Sequence, residues 1–205
     1  MPGYADFLDA FVKKMELDSF FLAGNSLGGL ISWYYAAQHS GRVKKLVLLN
    51  AAGFERGDDP PLVMRLARNP LISQFLMKIT PRFLFERSLR EVYAEEDKLE
   101  EETIQRYFEL MLHEGNREAF ARRARETEQV DTALLSRLNM PTLIIWGDKD
   151  RWISPHYAGQ FDRAIPQSRV IMYEGVGHVP MEEIPERSAA DVRQFLAGEP
   201  VDASN

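Results

Sequence analysis

A serine lies between two glycines in the segment Gly24-Asn25-Ser26-Leu27-Gly28, which fits the pattern G-x-S-x-G. The apolar run 19–23 precedes it and predicts a buried strand, and a helical pattern follows it directly. Such a sharp turn strains the backbone at Ser26 and lifts its hydroxyl above the sheet as a candidate nucleophile. We expect both flanking glycines to be required, because a side chain there would collide with a neighbouring element. The N–H of Leu27 would face a developing oxyanion.

A serine hydroxyl is a weak nucleophile, so a base must lie within hydrogen-bond reach of it. His178 is the favoured base because it follows a predicted strand and is flanked by Gly177 and Pro180. This position puts the imidazole at the edge of the sheet where Ser26 emerges. The other three histidines are less suited to this role. His39 is predicted to lie in a helix-to-strand connection, His113 on a helix and His156 at the start of a helix.

The base needs a carboxylate to orient it. Asp150 is the favoured acid because it comes just after the third predicted strand, and Asp148 is its competitor in the same turn. The turn after the second strand could also hold the acid, but the segment 50–53 reads Asn-Ala-Ala-Gly and contains none. The three groups then follow the chain order Ser26, Asp150, His178.

Four apolar runs predict the strands that position these side chains. They lie at 19–23, 45–50, 142–146 and 169–173. Because most are continuous apolar runs separated by helical patterns, they indicate a parallel sheet covered on both faces, in an α/β fold. The helices of this core are predicted at 5–16, 30–38 and 185–197, the last opened by Pro185 and closed by Gly198.

Between the second and third strands the pattern is helical only. An all-helical block between two strands of one sheet is typical of a lid. We therefore predict a first core part over residues 1–58, a helical lid over 59–138 and a second core part over 139–205.

Three features stand out within the predicted lid. Apolar stripes predict helices over 71–79 and 104–111, and Asn116 is a candidate cap for a third helix. The segment 91–102 has seven acids in twelve residues, which predicts a solvated helix face or loop.

Composition excludes several classes of protein. The chain has 205 residues, with 25 Lys and Arg against 31 Asp and Glu, and this net charge of −6 argues against a nucleic-acid partner. An apolar content of 45% can fill a core and excludes disorder of the whole chain. The absence of cysteine excludes disulfides, thiol catalysis and zinc–thiolate sites. No apolar run is long enough to span a membrane and no leader pattern is visible, so we expect a cytoplasmic protein without a membrane partner.

These segments together resemble the α/β-hydrolase superfamily. The matching pieces are Gly24-Asn25-Ser26-Leu27-Gly28-Gly29, the segment 42–48, Trp146-Gly147-Asp148-Lys149-Asp150 and the segment 177–182, and the likeness runs from about Tyr4 to Ala197. The resemblance implies Ser26 as nucleophile, Asp150 as acid and His178 as base. It also implies oxyanion or substrate-binding positions at Leu27, Asn25, Trp152 and Val179.

The serine excludes the branches of the superfamily that use an aspartate nucleophile, the dehalogenases and epoxide hydrolases. Asn25 resembles both an ester-hydrolase branch and the hydrolases that cleave carbon–carbon bonds of aromatic ring-cleavage products. The latter usually carry a tryptophan after the base, where this chain has Val179.

The resemblance covers only part of the superfamily's fold. Its sheet has eight strands, and this chain matches the last four, without the His-Gly loop that supplies a second oxyanion N–H. Loss of one such donor typically lowers the rate by about 100- to 1000-fold. The chain is thus expected to be a truncated member, with an open edge at the strand 19–23 that favours self-association into a homo-oligomer.

The sequence therefore predicts a serine hydrolase of carboxylic esters that needs no cofactor, with a small-molecule substrate carrying an apolar group. A carbon–carbon bond hydrolase and an inactive truncated member remain alternatives. A dinucleotide site is excluded because Ser26 replaces the glycine required at that position, and a phosphate loop because the turn has no lysine. A metal site is not expected, since Pro180 separates His178 from Glu182.

Overall fold

The computed structural model describes residues 1–55, 57, 59–126 and 130–199, and its sheet has four parallel strands in the order β1-β2-β3-β4. The strands are β1 (Phe20–Asn25), β2 (Val43–Leu49), β3 (Thr142–Gly147) and β4 (Ser168–Tyr173). Each predicted strand is present, with ends shifted by at most two residues. Because all four strands run in the same direction, their carboxyl ends meet at one edge of the sheet.

Ten α-helices connect and cover the strands within the described residues. They are α1 (Pro2–Lys14), α2 (Leu27–Gln38), α3 (Leu62–Arg68), α4 (Pro70–Lys78), α5 (Arg82–Arg90), α6 (Glu101–Leu112), α7 (Asn116–Arg125), α8 (His156–Ala164), α9 (Pro180–Glu183) and α10 (Pro185–Ala197). The last helix has the predicted bounds, and Gly198 ends it with a left-handed φ of 86°.

Alternate residues of the central strands pack into two separate cores, one on each face of the sheet. Leu48 and Ile144 face α1, α2 and α8, whereas Val47 and Ile145 face α10. All six residues of β3 are buried. This explains why the central strands read as continuous apolar runs: both of their faces are covered.

Helices α3 to α7, here called the helical insertion, lie between β2 and β3 in the chain. The described residues between these two strands form no strand, in line with the helical pattern of the sequence. Asn116 is not the cap of α7: Gly115 precedes the helix with a left-handed φ of 85°, and Asn116 is its first residue. The Asn116 side chain instead donates to the carbonyl oxygen of Leu110, because the preceding turn brings the end of α6 within its reach.

The last part of the predicted lid packs in the core. A 3-10 helix over Thr132–Arg137 places Leu135 in the main apolar cluster, and Leu138 follows it there. Both side chains are fully buried. The helical insertion thus ends before position 138, where the predicted lid of 59–138 ends. The sequence pattern did not show this, because the spacing of these leucines fits packing in the core as well as it fits another lid helix.

The acidic segment 91–102 exposes six of its seven acids, as expected of a solvated face or loop, but the apolar residues between them are buried. Val92, Tyr93 and Leu99 are buried in a small cluster with Ile104 and Val179. Apolar side chains between the acids thus anchor the segment, and the anchoring contact lies directly after His178.

β1 forms one edge of the sheet, and large apolar side chains on β1 and on α1 are exposed. Phe21 on the strand is 50% exposed, and Phe7 and Phe11 on α1 are 73% and 49% exposed. An unpaired strand edge beside apolar surface favours association with another chain. Self-association through this edge stays a prediction. Among the described residues, no helix has both the length and the apolar character that crossing a bilayer requires.

Candidate active site

Ser26 occupies a strained turn between β1 and α2. Its backbone has φ 54° and ψ −119°, and a positive φ is costly for a residue with a side chain. The backbone N–H of Ser26 donates to Leu49 O at 3.0 Å, and its carbonyl accepts from Ala52 N at 2.9 Å. Ser26 is partly exposed. The predicted strained turn is therefore confirmed, and its hydrogen bonds to the β2 end hold it in place.

Two glycines make room for this turn, but only one of them belongs to the predicted pair. A Cβ atom on Gly24 would lie 2.2 Å from the carbonyl oxygen of Gly28, and one on Gly29 would lie 2.5 Å from Cβ of Ala51. A Cβ atom on Gly28 would meet nothing within 4 Å. The expectation that Gly28 must be small is wrong, because Gly29 is the residue of the first helical turn that faces the end of β2.

Leu27 is the first residue of α2. The N–H groups of a first helical turn have no acceptor within the helix, and the helix dipole favours negative charge beside them. The N–H of Leu27 can therefore donate to a carbonyl oxygen held next to Ser26.

His178 and Asp150 form a buried pair beyond the ends of β4 and β3. Nδ1 of His178 lies 2.8 Å from Oδ2 of Asp150, and their side chains are 5% and 0% exposed. The hydrogen bond at Nδ1 leaves Nε2 as the ring nitrogen that can take up another proton. The structure thus brings together the histidine and the acid chosen from the sequence.

Both carboxylate oxygens of Asp150 are held by several donors. Oδ1 accepts from the backbone N–H groups of Trp152 and Ile153 at 2.7 and 2.9 Å. Oδ2 accepts from Nδ2 of Asn50 at 2.8 Å, in addition to its contact with His178. These contacts fix the orientation of the carboxylate, and through it the orientation of the imidazole.

Asp148, the competing acid, bonds within its own turn. Its Oδ1 accepts from the N–H of Gly175 at 2.8 Å, and its Oδ2 pairs with Nζ of Lys149 at 2.8 Å. Burial raises the pKa of the Asp148 carboxyl, but the bonds from Lys149 and Gly175 outweigh this effect and hold the pKa below its usual range. Asp148 therefore joins the turn after β3 to the turn after β4.

Asn50 is the site residue that the sequence analysis missed. It is fully buried after β2, with a left-handed φ of 45°, and its Nδ2 also donates to Gly177 O at 3.2 Å. Asparagine tolerates this conformation better than most residues with a side chain. The signal was present in the sequence as a polar residue at the end of an apolar strand, in a position inspected only for an acid.

Replacement of Asn50 by glycine tests its part in holding Asp150. Glycine accepts the left-handed backbone, so the variant removes the two side-chain hydrogen bonds without backbone strain. A hydrogen bond to a charged group contributes about 1.5–3 kcal/mol, so we expect the rate of ester hydrolysis to fall by about ten- to a hundredfold. Steady-state kinetics measure this effect, and circular dichroism checks that the variant is folded. An unchanged kcat in the folded variant would show that Asn50 does not position Asp150.

Asn25 connects the turn at Ser26 to the histidine. Its Nδ2 donates to Leu49 O at 3.2 Å and to the backbone carbonyl of His178 at 3.0 Å. Both amide hydrogens of Asn25 thus bond to the protein backbone and are not directed at an oxyanion, and a part for Asn25 in substrate binding stays a prediction. Within the described residues no hydrogen bond joins Ser26 Oγ to the His178 ring, so this side-chain amide is the link between the two segments.

Trp152 and Val179 flank the histidine, and their expected part in substrate binding stays a prediction. The Trp152 ring stacks on the His178 ring with centroids 5.8 Å apart. Val179 is buried in the small cluster with Val92 and Tyr93, against which Trp152 also packs. The two side chains give the surroundings of His178 an apolar character.

The acidic segment is tied to the loop that carries His178. The backbone N–H of His178 donates to Val92 O at 2.8 Å. The hydroxyl of Tyr93 donates to Glu182 at 2.6 Å, and that of Tyr107 donates to the other oxygen of the same carboxylate. Burial and the bond to Glu182 raise the pKa of Tyr107 to about 12, and they also raise the pKa of Tyr93. These contacts place the segment between α5 and α6, in the middle of the helical insertion, beside the loop that carries the imidazole.

The buried side chain of Glu183 also links the acidic segment to the loop that carries His178. Its carboxylate accepts from the N–H of Gly177 at 2.8 Å and from the N–H of Ala94 at 2.9 Å. Burial raises the pKa of Glu183, although these backbone bonds act in the opposite direction. A buried carboxylate thus connects the histidine loop to the acidic segment.

The raised pKa of Glu183 predicts a pH dependence of stability. Between the pKa of an unfolded glutamate and the higher folded value, the folded chain binds more protons, so the free energy of unfolding falls as pH rises. Glu183→Gln removes this contribution, and its stability deficit relative to the wild type should shrink as pH rises above about 4.3. Urea unfolding across this pH window measures the difference. Glu186→Gln, at an exposed position nearby, should keep the wild-type pH dependence, and a constant deficit for Glu183→Gln would contradict the prediction.

The other histidines lie in settings distinct from this pair. His39 stacks on Tyr35 with ring centroids 4.4 Å apart, and His156 at the start of α8 contacts Ser154 Oγ at 2.8 Å. His113 is exposed after the end of α6.

Known proteins are similar to this chain in sequence and in fold. The family described as alpha/beta hydrolase fold matches residues 1–185. Lipase 1 of Psychrobacter immobilis is 32% identical over 186 residues, which cover 85% of this chain and 54% of the lipase. Lipase 3 of Moraxella sp. (strain TA144) is 32% identical over 189 residues, 86% of this chain and 56% of the lipase. A solved structure of a meta-cleavage product hydrolase from Pseudomonas fluorescens IP01 superposes with a TM-score of 0.82 at 19% identity, over 96% of this chain and 71% of that one.

The chain belongs to the α/β-hydrolase fold family, since the family match spans residues 1–185 of its 205. It spans about half the length of the two lipases, at 54% and 56%. The superposition at 19% identity shows a common fold.

Proposed function

We propose that this chain carries the catalytic groups of a serine hydrolase that cleaves carboxylic esters. The observation that carries the proposal is the strained Ser26 at the sheet edge where the buried His178–Asp150 pair lies, with 2.8 Å between Nδ1 and Oδ2. A nucleophile, a base and an orienting acid are the groups that acyl transfer requires. The 32% identity to two proteins named lipases favours ester substrates.

The first half of the proposed reaction acylates Ser26. Oγ attacks the ester carbonyl carbon while Nε2 of His178 takes the hydroxyl proton, and the carbonyl electron pair moves onto oxygen. The N–H of Leu27 donates to this oxyanion. As the intermediate collapses, the bond to the alcohol oxygen breaks, and the imidazolium returns its proton to the departing alcohol.

The second half releases the acid and restores the serine. His178 takes a proton from a water molecule, whose oxygen attacks the acyl carbon. The bond to Oγ then breaks and Ser26 recovers its proton from His178. Asp150 stays ionised in both halves and stabilises the imidazolium, and the cycle uses no cofactor.

The substrate we propose is an ester with an apolar acyl or alcohol group. Trp152 and Val179 support this choice, because they put apolar surface next to the imidazole. Removing apolar surface from water contributes about 25 cal/mol per Å² to binding. We therefore expect butyrate esters to react with a higher kcat/KM than acetate esters.

A comparison of two substrates tests the proposal. The chain is expected to hydrolyse p-nitrophenyl butyrate faster than a 2-hydroxy-6-oxo-dienoate, the type of compound that a carbon–carbon bond hydrolase cleaves. Preference for the dienoate would support the carbon–carbon reaction at the same residues. If a sample that circular dichroism shows to be folded cleaves neither substrate, the result would support the inactive alternative and overturn the proposal.

A further inference from the structure

A cavity of about 60 Å³, partly open to solvent, lies between the helices of the helical insertion. Helices α3 to α7 and the turn between α4 and α5 supply its walls, and none of the lining residues comes from the elements that carry Ser26, Asp150 or His178. The walls are mainly apolar, with contributions from Val63, Leu76, Leu84, Phe85, Met111 and Phe120.

Two polar groups in this wall have no protein partner. Ser73 is 1% exposed, and its buried hydroxyl makes no hydrogen bond. A buried hydroxyl left in this state is costly, which favours a bound group that can pair with it. Arg117 also lines the cavity; it is partly exposed to solvent, and no hydrogen bond or ion pair joins its guanidinium to another residue that the structure describes. A guanidinium fork matches a carboxylate in charge and geometry.

The size of the cavity limits the apolar part of a ligand. The volume of about 60 Å³ counts the space that the centre of a water-sized sphere can occupy. One such group needs about 10–15 Å³ of this space, so the cavity holds a chain of about four to six groups. Apolar walls favour an alkyl chain over a polar one, because burial of an unpaired polar chain would cost free energy.

We propose that this cavity is a second binding site, which takes a carboxylic acid with an alkyl chain of about four to six carbons. The alkyl chain fills the apolar part of the cavity, and the carboxylate pairs with Arg117 and accepts a hydrogen bond from the hydroxyl of Ser73. A carboxylic acid is also the product class of ester hydrolysis, but binding in the insertion does not depend on the proposed reaction.

Isothermal titration calorimetry of the chain with sodium hexanoate tests this site. We expect saturable binding, at least tenfold weaker in Arg117→Met, which removes the charge and keeps an apolar side chain. Arg122→Met is the matched control, since Arg122 lies on the same helix, is 65% exposed in its side chain and pairs with Glu118 at 3.8 Å. It should bind hexanoate like the wild type.

Two further measurements separate this site from other modes of binding. Ala121→Leu adds volume to the cavity wall, and we expect at least tenfold weaker binding of hexanoate. Blocking Ser26 with a fluorophosphonate should leave hexanoate binding unchanged. No saturable binding to the wild type, equal affinity in Arg117→Met and the wild type, or loss of binding after the fluorophosphonate would each overturn the proposal.

Discussion

Ser26→Ala is expected to lower the rate of p-nitrophenyl butyrate hydrolysis by about 10⁴-fold or more. The variant removes the only atom that can form the acyl-enzyme in the proposed reaction, while the small alanine side chain fits the same turn. Alanine keeps the Cβ atom of serine, so the substitution adds no strain at the positive φ, and we expect the fold to stay intact, as judged by circular dichroism. The measurement is the initial rate at saturating ester.

A second serine on the same helix provides the matched control. Ser32 is buried in α2 and its Oγ donates to Gly28 O at 2.7 Å, so Ser32→Ala removes a hydroxyl near the turn without removing the proposed nucleophile. We expect Ser32→Ala to keep its rate within about tenfold of the wild type, since a neutral hydrogen bond contributes about 1 kcal/mol. Equal rates in Ser26→Ala and the wild type would rule out Ser26 as the nucleophile.

Asp150→Asn is expected to reduce the same rate by about 10⁴-fold. The carboxylate now accepts from two backbone N–H groups, from Asn50 and from the histidine. An amide has one oxygen and one NH₂ group, so one of these donors would face another donor. The imidazole would then lose its orientation and the partner that stabilises its positive charge during acylation.

The neighbouring aspartate distinguishes an effect on catalysis from a general effect on the turn. Asp148→Asn breaks the pairing with Lys149 and alters the bond from Gly175, so it should lower stability, but we expect its rate to stay within about tenfold of the wild type. A larger loss of rate in Asp148→Asn than in Asp150→Asn would show that Asp148 is the acid that orients the base. Both variants are measured on samples matched for folded fraction.

The positions of Ser26, Asp150 and His178 could be predicted because each follows a recognisable strand. Parallel strands bring their carboxyl ends to one edge, so residues far apart in the chain meet there without any knowledge of their contacts. The central strands were recognisable because burial on both faces selects apolar residues at every position, as in β3. The edge strands β1 and β4 are less continuously buried, but their apolar runs were also long enough to be recognised, with ends within two residues of those observed.

The supporting contacts could not be predicted, because they depend on long-range pairing. Asn50 reaches an acid 100 positions further along the chain, and Glu182 joins two tyrosines 89 and 75 positions away. A polar residue in the sequence gives no sign of such a partner. The same limit applies to the acidic segment 91–102. Its charge content predicted solvation, but nothing in the sequence indicated that Val92, Tyr93 and Leu99 pack against Val179.

Mass spectrometry of the chain after reaction with a fluorophosphonate identifies the serine that acts as the nucleophile. The reagent forms a bond to an activated serine oxygen and loses fluoride, so we expect a single adduct, on the peptide that contains Ser26. The adduct should be absent in Ser26→Ala and formed far more slowly in His178→Ala, which lacks the base. A folded chain that remains unmodified, or that carries the adduct on another serine, would contradict the assignment of Ser26 as the nucleophile.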